Sequence, residues 1–134
     1  MKLNYDSEKY EPWTSLDTTF LSRKLVYETA FDGIVKIYFL KSNDSKVNLK
    51  LDGKYFGDFI HHANCGIFLR MFENKTSWPK TSLVYIDFAE YYLDEISVTK
   101  SSWNVWKGND LGYGKHLIEI SPTETVEYKI RGVH

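Results

Sequence analysis

Thr125-Val126-Glu127-Tyr128-Lys129-Ile130-Arg131 alternates strictly between polar and apolar residues. A period of two puts Val126, Tyr128 and Ile130 on one face of an extended chain and the polar residues on the other. The same alternation runs through Lys46-Val47-Asn48-Leu49-Lys50-Leu51. There it predicts a strand with Val47, Leu49 and Leu51 on its buried face.

Working outward, further strand-like runs cover Lys24–Phe31, Ile34–Lys41, Lys54–Ile60, Gly66–Glu73, Leu83–Phe88, Ile96–Thr99 and His116–Ser121. They are rich in Val, Ile, Tyr and Phe, which suit a pleated surface. Asp32-Gly33 and Asp52-Gly53 fall between such runs and read as hairpin turns. Ser42-Asn43-Asp44-Ser45 reads as a polar turn, and Asn74–Lys80 and Gly108–Gly114 as longer loops. Short strands at this spacing predict a mainly β chain, an antiparallel sandwich or barrel. Two segments read either way. Trp13, Leu16 and Phe20 fall near one helical face, so residues 14–24 suit a helix as well as a strand, with Ser15 or Asp17 as its cap. Ala89–Asp94 breaks alternation and suits one helical turn. An α+β fold is therefore the alternative.

The chain has 134 residues, the size of one domain. It is divided here into an arm, residues 1–12, and a β-rich domain, residues 13–134. No apolar run is long enough to span a bilayer as a helix, and the N-terminus lacks the apolar stretch of a secretory leader. A cytoplasmic location is expected, and the Asn74-Lys75-Thr76 glycosylation sequon carries no weight there. The single cysteine, Cys65, excludes an intrachain disulfide framework.

Motifs for chemistry are weak. His61-His62-Ala63-Asn64-Cys65 offers metal-ligand side chains, but neither a second cysteine nor a paired-His motif completes a set of four. Adjacent strand residues also point to opposite faces, which works against a Cys65–histidine pair for nucleophilic catalysis. Gly108–Lys115 lacks the glycine spacing and the Ser/Thr of a phosphate cradle. Asp87, Glu90, Asp94 and Glu95 could pair as glycosidase carboxylates only at a separation that sequence does not supply. No catalytic residue, metal or cofactor is assigned.

Net charge is −1, which argues against nucleic acid as the partner. That value hides an asymmetry. Residues 34–80 are predominantly basic, and Lys36, Lys46 and Lys50 with Tyr38 and Tyr55 form the only single-strand-binding pattern. Residues 81–99 hold four acids and no base among tyrosines. Asp87, Glu90, Tyr91, Tyr92, Asp94 and Glu95 are thus the candidate partner-binding residues. Tyrosine gives large contact area at low entropic cost, and acids steer a basic partner. The expectation is a non-catalytic macromolecule-binding protein. Its sharpest form is a small inhibitor or immunity-type protein that occludes a basic enzyme such as a nuclease or other toxin. The alternative is a ligand- or carbohydrate-binding β domain that uses Trp78, Trp103, Trp106 and Tyr113 as stacking surfaces. Aromatic residues make up 16% of the chain, enough to furnish both a core and either surface.

Overall fold

A computed structural model describes residues 10–29 and 35–131. The chain is mostly β, with two antiparallel sheets and one short helix in a sandwich-like arrangement. Strands β1 (Glu11–Leu16), β2 (Thr19–Thr29), β3 (Val35–Ser42), β4 (Tyr55–His62), β5 (Gly66–Phe72), β6 (Thr81–Asp87) and β7 (Tyr92–Thr99) form the larger sheet in sequence order. Strands β8 (Lys107–Gly112), β9 (Lys115–Ser121) and β10 (Glu124–Lys129) form the smaller one. Both are meanders in sequence order, and α1 (Ser45–Leu51) joins β3 to β4.

The larger sheet is covered on both faces, which explains the continuous burial of β6. On one face Phe68, Leu83 and Tyr85 meet Trp106, Ile118, Ile120 and Ile130 from the smaller sheet and its approaches. On the other, Leu21, Leu40, Phe56, Ile67, Leu69, Val84 and Ile86 enclose Val47 and Leu51 of α1. Alternation along β5 and β6 feeds both layers at once.

The structure corrects the reading of Lys46–Leu51, which is helical rather than extended. Asp44 Oδ1 accepts the Lys46 N–H at 2.9 Å as the N-cap, and Asn48 exchanges two hydrogen bonds with the Ser42 backbone. Val47 and Leu51 are one helical turn apart and buried, whereas Leu49 is 72% exposed. Positions i and i+4 belong to both periods, so only Leu49 distinguishes them. Lys46 and Lys50 therefore line no strand. Asp52-Gly53 ends this helix instead of closing a hairpin, with Gly53 in the left-handed region at φ 75°.

Residues 14–24 form no helix. They belong to the β1–β2 hairpin, in which Asp17 takes φ 52° and Leu16 pairs with Thr19. Glu11 and Pro12 already pair with Arg23 and Ser22. The sheet thus reaches two residues into the segment read as an arm. Ala89–Asp94 is likewise not helical: Phe88–Tyr91 is a turn and β7 starts at Tyr92. Most of Gly108–Gly114 is strand rather than loop, and only Tyr113-Gly114 links β8 to β9. Asp32-Gly33 lies outside the described residues. Among the described residues, no helix is long and apolar enough to cross a membrane.

Candidate functional site

Three turns meet at one end of the sandwich: Ala63–Cys65 between β4 and β5, Phe88–Tyr91 between β6 and β7, and Tyr113-Gly114 between β8 and β9. Backbone bonds tie them to their surroundings. Phe88 N–H donates to the Cys65 carbonyl at 2.7 Å, and Ile130 N–H to the Gly114 carbonyl at 2.9 Å. Between the turns lies a cavity of about 250 Å³, into which Cys65, Tyr85, Asp87, Glu90, Asp110, Tyr113, His116 and Arg131 converge.

Its floor is built by close approach. A Cβ at Gly66 would lie 2.3 Å from the Ile86 carbonyl oxygen and 2.5 Å from the Tyr85 hydroxyl. Only glycine lets Tyr85 lie there. The Tyr85 hydroxyl donates to Asp87 Oδ2 at 2.8 Å, and Asp87 Oδ1 accepts the N–H groups of Ala89 and Glu90. Asp87 is 4% exposed, so this carboxylate organises the turn and faces the cavity from within. Burial pushes the Tyr85 phenol far above its ordinary value, and Asp87 adds to the rise.

One wall is a histidine pair. His61 Nε2 and His116 Nδ1 are 3.0 Å apart. A Cβ at Gly108 would lie 2.3 Å from His61 Cγ, so glycine on β8 makes the room for that ring. Burial lowers the pKa of both rings, opposed in each by Asp110; for His61 the neighbouring His116 adds to the lowering. Both are neutral at pH 7. His62 turns to the opposite side of the strand, where it shares a 2.9 Å hydrogen bond with Thr14 Oγ1. Cys65 is exposed at the cavity. Among the described residues, no three His, Cys, Asp or Glu side chains are grouped to hold a metal ion.

The acidic tyrosine segment is split rather than assembled into one face. Asp87 and Glu90 line the cavity. Tyr91 packs on the helix side, donates to Asp44 Oδ2 and lies under the Lys46 ammonium. Glu95 also points there and accepts from Ser82 at 2.6 Å. Tyr92 and Asp94 face the smaller sheet. The Asp94 carboxylate accepts from the Tyr128 hydroxyl and from Arg131, whose guanidinium lies over the Tyr92 ring at 4.1 Å. Burial alone would raise the Asp94 pKa, but the hydrogen bonds from Tyr128 and Arg131 outweigh it and hold the carboxyl below the ordinary range. Tyr92 Oη is buried without a partner among the described residues.

The aromatic set divides too. Tyr113 is 84% exposed at the cavity rim, with φ 54°. Trp106 is buried, Trp78 is half-buried and Trp103 is exposed in a loop, so the indoles form no open stacking row. Sequence reasoning missed Asp110, His116 and Arg131 as cavity residues, and Gly66 and Gly108 as the positions that shape it. The signals available were small. His116, Arg131, Gly66 and Gly108 are single residues whose partners lie nineteen or more positions away, and Asp110 is an isolated acid beside a turn.

Comparison with protein-family models, with curated proteins and with solved structures yields no match.

Proposed function

We propose that this chain is a non-catalytic binding protein that receives a basic side chain of a protein partner in the cavity at the end of the sandwich. One observation carries the reading. Asp87, Glu90 and Asp110 line that cavity against a single cation, Arg131, whose charge is already engaged by Asp94. His116 is neutral and adds no positive charge at pH 7. The cavity therefore presents net negative charge, partly shielded from water, where a cation is attracted more strongly than at open surface.

The rim supports the same reading. Tyr113 holds a left-handed backbone conformation that glycine would occupy at lower cost, yet it presents an almost fully exposed aromatic ring. Strain kept at an exposed tip points to a role in contact. A large aromatic beside an acidic pocket is the composition of an interface hot spot for a basic partner. A nuclease or comparable toxin, with its positive substrate face, fits that chemistry. The encounter is assigned to the cytoplasm, where the exposed Cys65 stays a thiol.

Affinity capture from the native host with wild type, Glu90→Lys/Asp110→Lys and Glu95→Lys as parallel baits tests the reading. A basic protein retained by wild type and Glu95→Lys, and lost from the double variant, supports it. Identical proteins on all three baits contradict it.

A further inference from the structure

Arg70 stands in the run Gly66-Ile67-Phe68-Leu69-Arg70-Met71-Phe72 at an inward position, on the same face as Phe68 and Phe72. It is 3% exposed. Its guanidinium carbon lies 4.2 Å from the Trp106 ring centre and 4.8 Å from that of Trp78. Nε donates to Thr81 Oγ1 at 2.9 Å, Nη1 to the Trp103 carbonyl at 3.1 Å and Nη2 to the Ser101 carbonyl at 3.3 Å. All three acceptors are neutral. Among the described residues, no carboxylate pairs with this side chain.

A guanidinium carries five N–H donors, so two remain after these bonds. Pinning the 101–103 backbone accounts for two donors and Thr81 for a third. It answers neither the net positive charge nor the other two. A buried charge without a counter-charge is costly, and two π faces offset only part of that cost. Burial lowers the Arg70 pKa to about 10, which still leaves the group charged at pH 7.

Arg70 also borders open space. A cavity of about 200 Å³ is lined by Arg70 together with Gly57, Phe59, Phe72, Trp78 and Val105. A Cβ at Gly57 would press on the Phe72 ring at 3.1 Å and reach Arg70 Cβ at 3.9 Å, so glycine keeps this space clear. Of the other charged groups at its edge, Lys36 is a cation and Asp58 is bonded to Arg23 at 2.9 Å. The local balance is positive and the walls are mostly apolar.

We propose that this cavity binds a small organic carboxylate with a compact apolar body. Its carboxylate accepts the two remaining Arg70 N–H donors and supplies the missing counter-charge, the geometry in which arginine binds carboxylates best. The apolar body lies among Phe59, Phe72, Trp78 and Val105, as small-ligand pockets combine apolar walls with a few placed polar groups. The two cavities share no lining residue.

Titration with benzoate, and with benzamide as its neutral counterpart, tests the proposal. The readout is the indole N–H resonances of Trp78 and Trp106. Benzoate is expected to shift both saturably in wild type and in Glu90→Lys/Asp110→Lys, and benzamide to shift neither. Val105→Trp, which fills the cavity from a largely exposed position, is expected to reduce the benzoate response at least tenfold while the thermal midpoint stays within a few degrees. No saturable shift with benzoate, an equal response to benzamide, or an undiminished response in folded Val105→Trp would each overturn it.

Discussion

His61 and His116, fifty-five positions apart, share one hydrogen bond of 3.0 Å across the interface of the two sheets. Only one proton can lie between the two nitrogens, so the two rings cannot both be charged while the bond is kept. Burial lowers both pKa values. Above about pH 6.5, the ordinary imidazole value, folded and unfolded chains both hold neutral rings and the stabilisation is complete. Below it, the unfolded chain takes up protons that the folded pair resists, so stability falls with acid. Urea midpoints are expected to decline between pH 7 and pH 5 in wild type. The decline should be smaller in His116→Gln, and a parallel decline in both would contradict the pairing.

Asp94 titrates in a different window. Its carboxyl is depressed by Tyr128 and Arg131, so its contribution is present above the ordinary carboxylate value and is lost as pH falls through the folded value. Tyr128→Phe should leave the pH 7 to pH 5 decline unchanged and alter the profile only below about pH 4. The same urea series extended to pH 2.5 reads this directly.

Two glycines set the close approaches behind the cavity. Gly108→Ala drives a methyl group into the base of the His61 ring and is expected to cost about 1–3 kcal/mol. Gly66→Ala meets the Ile86 backbone oxygen, which cannot rotate away, and is expected to cost more than about 3 kcal/mol. Gly53→Ala meets no atom and costs only its left-handed backbone, about 1 kcal/mol. Chemical denaturation of the three variants should return that order.

Helix α1 separates two readings of one hydrophobic pattern. Leu51→Ala is expected to cost about 2–5 kcal/mol because Leu51 is buried in the core shared with Leu21 and Phe56. Leu49→Ala should stay within about 0.5 kcal/mol. Equal costs would restore the strand. Asp44→Ala should cost about 1 kcal/mol through loss of the N-cap.

That helix also shows how far the sequence was legible. The β class followed from alternation that survives in β9 and β10, where one residue in two faces a core. Lys46–Leu51 misled because six residues are too few to distinguish periods when Leu49 lies on the solvent side. The decisive signals were Asp44 before the segment and Gly53 after it, both punctuation of a helix. The candidate site was legible only in pieces. Asp87 and Glu90 were singled out together in the acidic segment and Tyr113 as a stacking aromatic, and the fold brings all three to one cavity. Asp94 and Glu95 were grouped by proximity in sequence, but neighbours on a strand face opposite ways. Arg70 gave one signal, a charge inside an apolar run, and its two indoles lie eight and thirty-six positions away.

Tyr113→Gly separates contact from stability. Glycine suits φ 54°, so the variant is expected to be as stable as wild type or up to about 1–2 kcal/mol more so. Binding of the captured partner should nonetheless weaken at least tenfold. Unchanged affinity in this variant would remove Tyr113 from the interface.

The most direct test of the acidic cavity is a fluorescence-anisotropy titration with a labelled hexalysine peptide at low and at physiological salt. Wild type and Glu95→Lys are expected to bind with similar affinity, weakening as salt rises. Glu90→Lys/Asp110→Lys should bind at least tenfold more weakly at low salt. Equal binding by all three proteins, or no binding by wild type, would contradict the account.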